Sequence, residues 1–165
     1  MKRAFFILFV LATVSCFSQT GQKITCYLSL QYNQTLYDQH PYYKDGIAGF
    51  GIQGFFFLKH KIRPTVELNA DLFNEHSLGP ADEPIEKRAF ISSVYFGPSF
   101  HSSNKFYCAT ELGCSFYDKV HFGFRPSIGF YPGNRWLTKI SFTNVFQEAE
   151  NYDFGFLSFA AAFKF

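Results

Sequence analysis

The chain has 165 residues, one domain's worth, and 21% of them are aromatic, including 24 Phe and 10 Tyr. Lys2 and Arg3 take two of the 15 Lys+Arg, and the remainder balances the 13 Asp+Glu. A neutral chain of this kind lacks the basic surface that nucleic acid demands, and it carries more aromatic side chains than a soluble core of its size has room for.

The first segment reads as an export signal. Lys2 and Arg3 form a basic cap, residues 4–14 are uncharged, and Cys16-Phe17-Ser18 offers the small-x-small pattern of a signal peptidase site. The apolar run is too short to span a bilayer, which takes about 20 residues. The expected division is a signal peptide over 1–18 and a single domain over 19–165, with export through the inner membrane. A lipidated Cys16 is the rival reading, and Thr13 stands where lipoproteins usually carry Leu.

After the signal the dominant pattern is alternation, in segments about ten residues long. Residues 23–33 put Ile24, Cys26, Leu28 and Leu30 on one face, and residues 46–58 do so with Ala48, Phe50, Ile52, Phe56 and Leu58. Residues 62–73 set Ile62, Val66, Leu68 and Leu72 against Arg63, Glu67, Asn69 and Asp71. Residues 89–101 and 105–116 continue with Phe90, Val94, Phe96 and Phe100, then Phe106, Cys108, Leu112, Cys114 and Phe116. The clearest segment is 120–131, where Val120, Phe122, Phe124, Pro126, Ile128 and Phe130 oppose a face of small and polar residues. Residues 135–147 and 154–165 complete a set of eight. Thr138 and Asn144 interrupt the apolar face of the seventh, which lends some weight to a soluble β-sandwich.

Short connections at 59–61, 102–104 and 132–134 alternate with longer ones at 34–45, 74–88 and 148–153, while 117–119 is short. Tight turns on one side and long loops on the other mark a transmembrane barrel with its long loops outside. The fold predicted is all-β: an eight-stranded antiparallel up-and-down transmembrane β-barrel, apolar outside and polar within. Three-residue turns would set Gln53 opposite Glu67, Tyr95 opposite Glu111, Glu111 opposite Arg125, and Arg125 opposite Ser141. These six residues form the predicted polar network of the lumen. Its simplest role is to neutralise buried charge and stabilise a solid barrel. Cys26, Cys108 and Cys114 read as small apolar residues. The five His show no metal-ligand spacing, and no metal or cofactor is expected.

The signal, the alternating segments and the terminal strand resemble the small outer-membrane β-barrel family of OmpX-like and OmpA-barrel-like proteins. The Phe17-Ser18-Gln19 ending also resembles exported proteins of Bacteroidota-type bacteria. The resemblance implies a bacterial outer-membrane location, contact with lipid and lipopolysaccharide, and insertion by the barrel assembly machinery. Ala161, Phe163 and Phe165 would be the C-terminal assembly signal.

Other motifs carry less. Gly49-Phe50-Gly51-Ile52-Gln53-Gly54 matches a dinucleotide fingerprint in letters, but Phe55-Phe56-Phe57 continues a strand where a helix is required. His101-Ser102-Ser103-Asn104 resembles a stretch of lipid A deacylases, with His101 as base and Ser103 as nucleophile, yet it falls beside a tight turn. Asp82, Glu83 and Glu86 form an acidic cluster in a loop. The leading expectation is a non-enzymatic structural or interaction protein that recognises partners through loops 34–45 and 74–88. The alternatives are a narrow porin-like channel, a subunit of a larger outer-membrane complex with a protein partner, and a lipid A-modifying enzyme.

Overall fold

The computed structural model describes residues 24–38, 43–78, 84–102, 105–117, 119–147 and 152–165. The expected signal peptide, with Cys16 and its cleavage point, lies outside them. Eight strands follow one another: β1 (Thr25–Asp38), β2 (Tyr43–Phe55), β3 (Ile62–Leu78), β4 (Pro84–His101), β5 (Phe106–Phe116), β6 (Val120–Phe130), β7 (Trp136–Gln147) and β8 (Tyr152–Lys164). Each pairs antiparallel with the next, and β8 returns to β1 to close the barrel. Closure pairs the backbone groups that an open sheet would leave at its edges.

The barrel is apolar outside and polar inside. Leu30 is 74% exposed and Ile128 67%, whereas Arg125 and Glu111 are fully buried. In β5 the inward set Tyr107, Ala109, Glu111 and Ser115 alternates with outward Phe106, Cys108 and Leu112. A polypeptide so arranged needs an apolar solvent around it, and a closed barrel is the β-structure that such a solvent accepts. The soluble sandwich is thereby replaced by a closed barrel. The two polar interruptions of the outward face are both hydrogen-bonded. Tyr37 donates its hydroxyl hydrogen to Asn144 Oδ1, and Thr138 Oγ1 donates to the Phe130 carbonyl at 3.3 Å.

Two predicted registers hold: Gln53 faces Glu67 and Glu111 faces Arg125. Two slide by two residues. Tyr95 faces Gly113 rather than Glu111, and Ser141 faces Ser127 rather than Arg125. The connections responsible are longer than three residues: Ser102 N donates to the Phe106 carbonyl at 3.2 Å, and β6 ends at Phe130 while β7 begins at Trp136. A slip of two keeps every side chain on its face, so the inside-outside assignment survives both errors. The turn after β2 also differs. Phe57 adopts φ 55°, a left-handed conformation uncommon for a bulky residue, and ends the strand before the expected 58.

The expected loops 34–45 and 74–88 are largely strand. β3 and β4 have 17 and 18 residues, against 11 in β5 and in β6. Eleven residues tilted near 45° rise about 25 Å, the height of a barrel's apolar band. The β3–β4 hairpin therefore stands well above the rim at β5–β6. Glu86 lies in β4, while Asp82 and Glu83 fall outside the described residues.

Three layers fill the interior. Tyr27, Phe55, Tyr107, Ala109, Leu137 and Ala162 pack at the turn end. Phe73, Ala89, Ile91, Val145, Phe154 and Phe156 pack at the loop end. A polar belt lies between them. Eight strands leave an interior that side chains just fill, and local fits are close: a Cβ on Gly129 would come within 1.9 Å of the Tyr107 ring.

Candidate functional site

The belt is built from inward positions of β1, β3, β4, β5, β6, β7 and β8. Its centre is Glu67 on β3. Lys139 Nζ approaches Glu67 Oε1 at 2.5 Å from β7, and Arg125 Nη2 approaches the same oxygen at 3.2 Å from β6. All three side chains are essentially dry. A buried carboxylate with two cations on it offsets much of the desolvation that each charge would suffer alone. Arg125 Nη2 also donates to Ser141 Oγ at 3.0 Å, and its guanidinium lies 5.6 Å from the Tyr95 ring centroid. Tyr95 in turn shares a hydrogen bond with Ser115 at 2.9 Å.

A second knot forms around Asp71. Gln31 Nε2 donates to Asp71 Oδ1 at 2.5 Å and Asn33 Nδ2 donates to the same atom at 2.7 Å. Ser158 Oγ donates to Asn33 Oδ1 at 2.7 Å, tying β8 to β1. Gln31 and Asp71 stand on either side of Gly49 in β2. A Cβ on Gly49 would sit 2.1 Å from Asp71 Oδ1, and one on Gly51 would sit 2.4 Å from Asn69 Oδ1. The glycines of the G-x-G-x-x-G stretch thus clear room for a hydrogen bond that passes over a strand. No helix follows them.

The six predicted network residues all line the interior, yet their contacts differ from those expected. Glu111 faces Arg125 across the β5–β6 ladder, but Arg125 reaches over the lumen to Glu67 instead. Neither Glu111 oxygen has a hydrogen-bond partner among the described residues. Arg125 does contact Ser141, diagonally rather than directly across. Gln53 belongs to the turn-end layer, where Tyr107 Oη donates to its Oε1 at 3.2 Å. Sequence reasoning missed Asn33 and Ser158 and left Lys139 and Asp71 out of the network. Their inward parity on charged and amide side chains was the signal available. His101, the candidate base, points into the barrel, stacked on Tyr107 at 5.4 Å and hydrogen-bonded to Ser99 Oγ at 3.1 Å. Ser103 lies outside the described residues. Ala161, Phe163 and Phe165 all face outward.

No protein-family model matches the sequence, and comparison with curated proteins gave no match. Solved structures do match. The outer membrane protein Ail of Yersinia pestis in a phospholipid nanodisc aligns with a TM-score of 0.61 at 13% identity, covering 87% of this chain and 100% of Ail. The crystal structure of Ail, the attachment invasion locus protein, gives 0.60 at 12% identity, over 86% and 97% of the two chains. Ail in complex with the heparin analogue sucrose octasulfate gives 0.59 at 12% identity, over 87% and 99%. Closed eight-strand topology, an apolar exterior and a packed polar lumen all agree with this likeness, and the fold of the chain is that of the small eight-stranded outer-membrane β-barrels.

Proposed function

We propose that the chain is an integral barrel of a bacterial outer membrane that acts as an interaction protein through its raised hairpins. The observation that carries this reading is the unequal height of the wall. β4 pairs with β5 only from Ser92 onward, so, among the described residues, 84–91 pair with β3 alone and offer one free edge above the rim. Such an edge accepts an added strand from a partner. Ail, a barrel of similar shape, is an attachment invasion locus protein, which supports a role in contact with outside surfaces.

A channel is disfavoured by the aromatic layers that bracket the belt. A lipid A-modifying role is disfavoured by His101, whose ring is held inside rather than presented to lipid. Contact with lipopolysaccharide, delivery by the assembly machinery through Ala161, Phe163 and Phe165, and membership of a larger outer-membrane complex belong to the same proposal.

The test has two steps. The outer-membrane fraction is run on a gel boiled and unboiled, and a mobility shift on boiling is expected. The β3–β4 hairpin is then shortened by joining residues 73 and 89 through Asn-Gly, which removes most of the free edge and keeps Phe73 and Ala89 in their layer. Cells carrying the short form should keep the shift and lose attachment to protein-coated or heparin-coated surfaces. Full attachment by the short form would overturn the assignment to this hairpin.

A further inference from the structure

The turn end of the barrel opens into a cavity of about 190 Å³, apart from the belt and from the hairpins. Its aromatic floor is Tyr27, Phe55 and Tyr131, with the His101 ring between them. Tyr27 and Tyr131 lie 6.0 Å apart, and His101 stacks near parallel to Tyr131 at 6.3 Å. Two cations line it: Arg63, at the inward position where β3 begins, and Lys164, at the inward position where β8 ends. Arg63 is anchored through Nε to the His60 carbonyl at 2.9 Å, which leaves the outer half of its fork for other acceptors.

In the belt, Arg125 and Lys139 share Glu67. At the turn end no Asp or Glu lines the cavity, and no carboxylate among the described residues pairs with Arg63 or Lys164. Two cations on the rim of one small concave space that no acid lines leave a positive potential there, which a bound anion would neutralise. The near-parallel rings beside them suit a flat group.

We propose that this cavity is a binding site for a small anion, a carboxylate or phosphate carried on a flat ring, entering from the side of the tight turns. The charge is read by Arg63 and Lys164, and the ring lies against Tyr131 and His101. Nothing in this assignment depends on the hairpins having a partner.

The test uses the full folded barrel in nanodiscs, labelled for NMR at arginine side chains and aromatic rings. Phenyl phosphate, benzoate, inorganic phosphate and neutral benzyl alcohol are titrated separately. Saturable shifts at Arg63, His101 and Tyr131 are expected with phenyl phosphate or benzoate, whichever anion is preferred naming the source. Inorganic phosphate should bind more weakly, and benzyl alcohol should not saturate. Arg63→Gln and Lys164→Gln should each weaken binding roughly tenfold while the boiled-unboiled gel shift stays unchanged. Lys164 is exposed, so its variant keeps the test available if Arg63→Gln fails to fold. No saturation by either ring-bearing anion, or equal binding by Lys164→Gln, would overturn the site.

Discussion

Two walls of the lumen each present a glutamate to the interior, and the two are treated differently. Glu67 on β3 receives Lys139 and Arg125 from across the barrel. Glu111 on β5 is equally dry, has Arg125 as its ladder neighbour, and yet accepts no hydrogen bond among the described residues. In a barrel this narrow, reach across the lumen outranks adjacency along the sheet. A long side chain extended to the far wall meets its partner end-on, whereas a ladder neighbour lies beside its stem.

Four substitutions would sharpen or break that contrast. The largest effect is expected from Glu67→Ala, which strands two buried cations; a loss of about 3–5 kcal/mol is expected, read as a fall in the urea midpoint in micelles and loss of the gel shift. Phe73→Ala removes a fully buried ring from the loop-end layer and should cost about 3 kcal/mol by the same measurement, which separates apolar packing from charge pairing. Tyr37→Phe removes only the hydroxyl that covers Asn144; about 1 kcal/mol is expected, and no change would show that the surrounding solvent satisfies Asn144 unaided. Glu111→Gln should be the mildest, within about 0.5 kcal/mol of the parent or more stable, because it replaces a carboxyl that accepts no hydrogen bond among the described residues with an amide of the same shape. A Glu111→Gln loss as large as that of Glu67→Ala would mean that both glutamates are paired, and the distinction between the walls would fall.

What the sequence disclosed divides along the same line. Alternation is a property of neighbouring residues, so the eight strands and their two faces were readable from Val120–Phe130 and its counterparts. Hairpin register needs the loop length as well, and the connections after β4 and β6 proved longer than their turn-like residues implied. Gln53–Glu67 and Glu111–Arg125 survived, and Tyr95–Glu111 did not. The extended hairpins were hidden because polar residues such as Gln34, Thr35, Asn74 and Glu75 read as loop in the sequence. The belt was least accessible of all. Lys139 to Glu67 spans 72 positions and β7 to β3, and no local pattern reports a contact across a closed interior. What could have pointed to it was the set of long inward cations, whose length exceeds the distance to any strand neighbour.

The hydrogen bond from Ser158 to Asn33 joins residues 125 positions apart. Chains that must bring such distant segments together form those contacts slowly and late. Asn33 is also the donor that helps hold Asp71, so the first strand cannot be fully settled until the last arrives. A nascent or truncated chain lacking β8 would therefore hold a half-finished polar centre and two open sheet edges at once. The seam between the chain's first and last strands is in this sense a timing device: it makes completion of the interior and closure of the wall a single event.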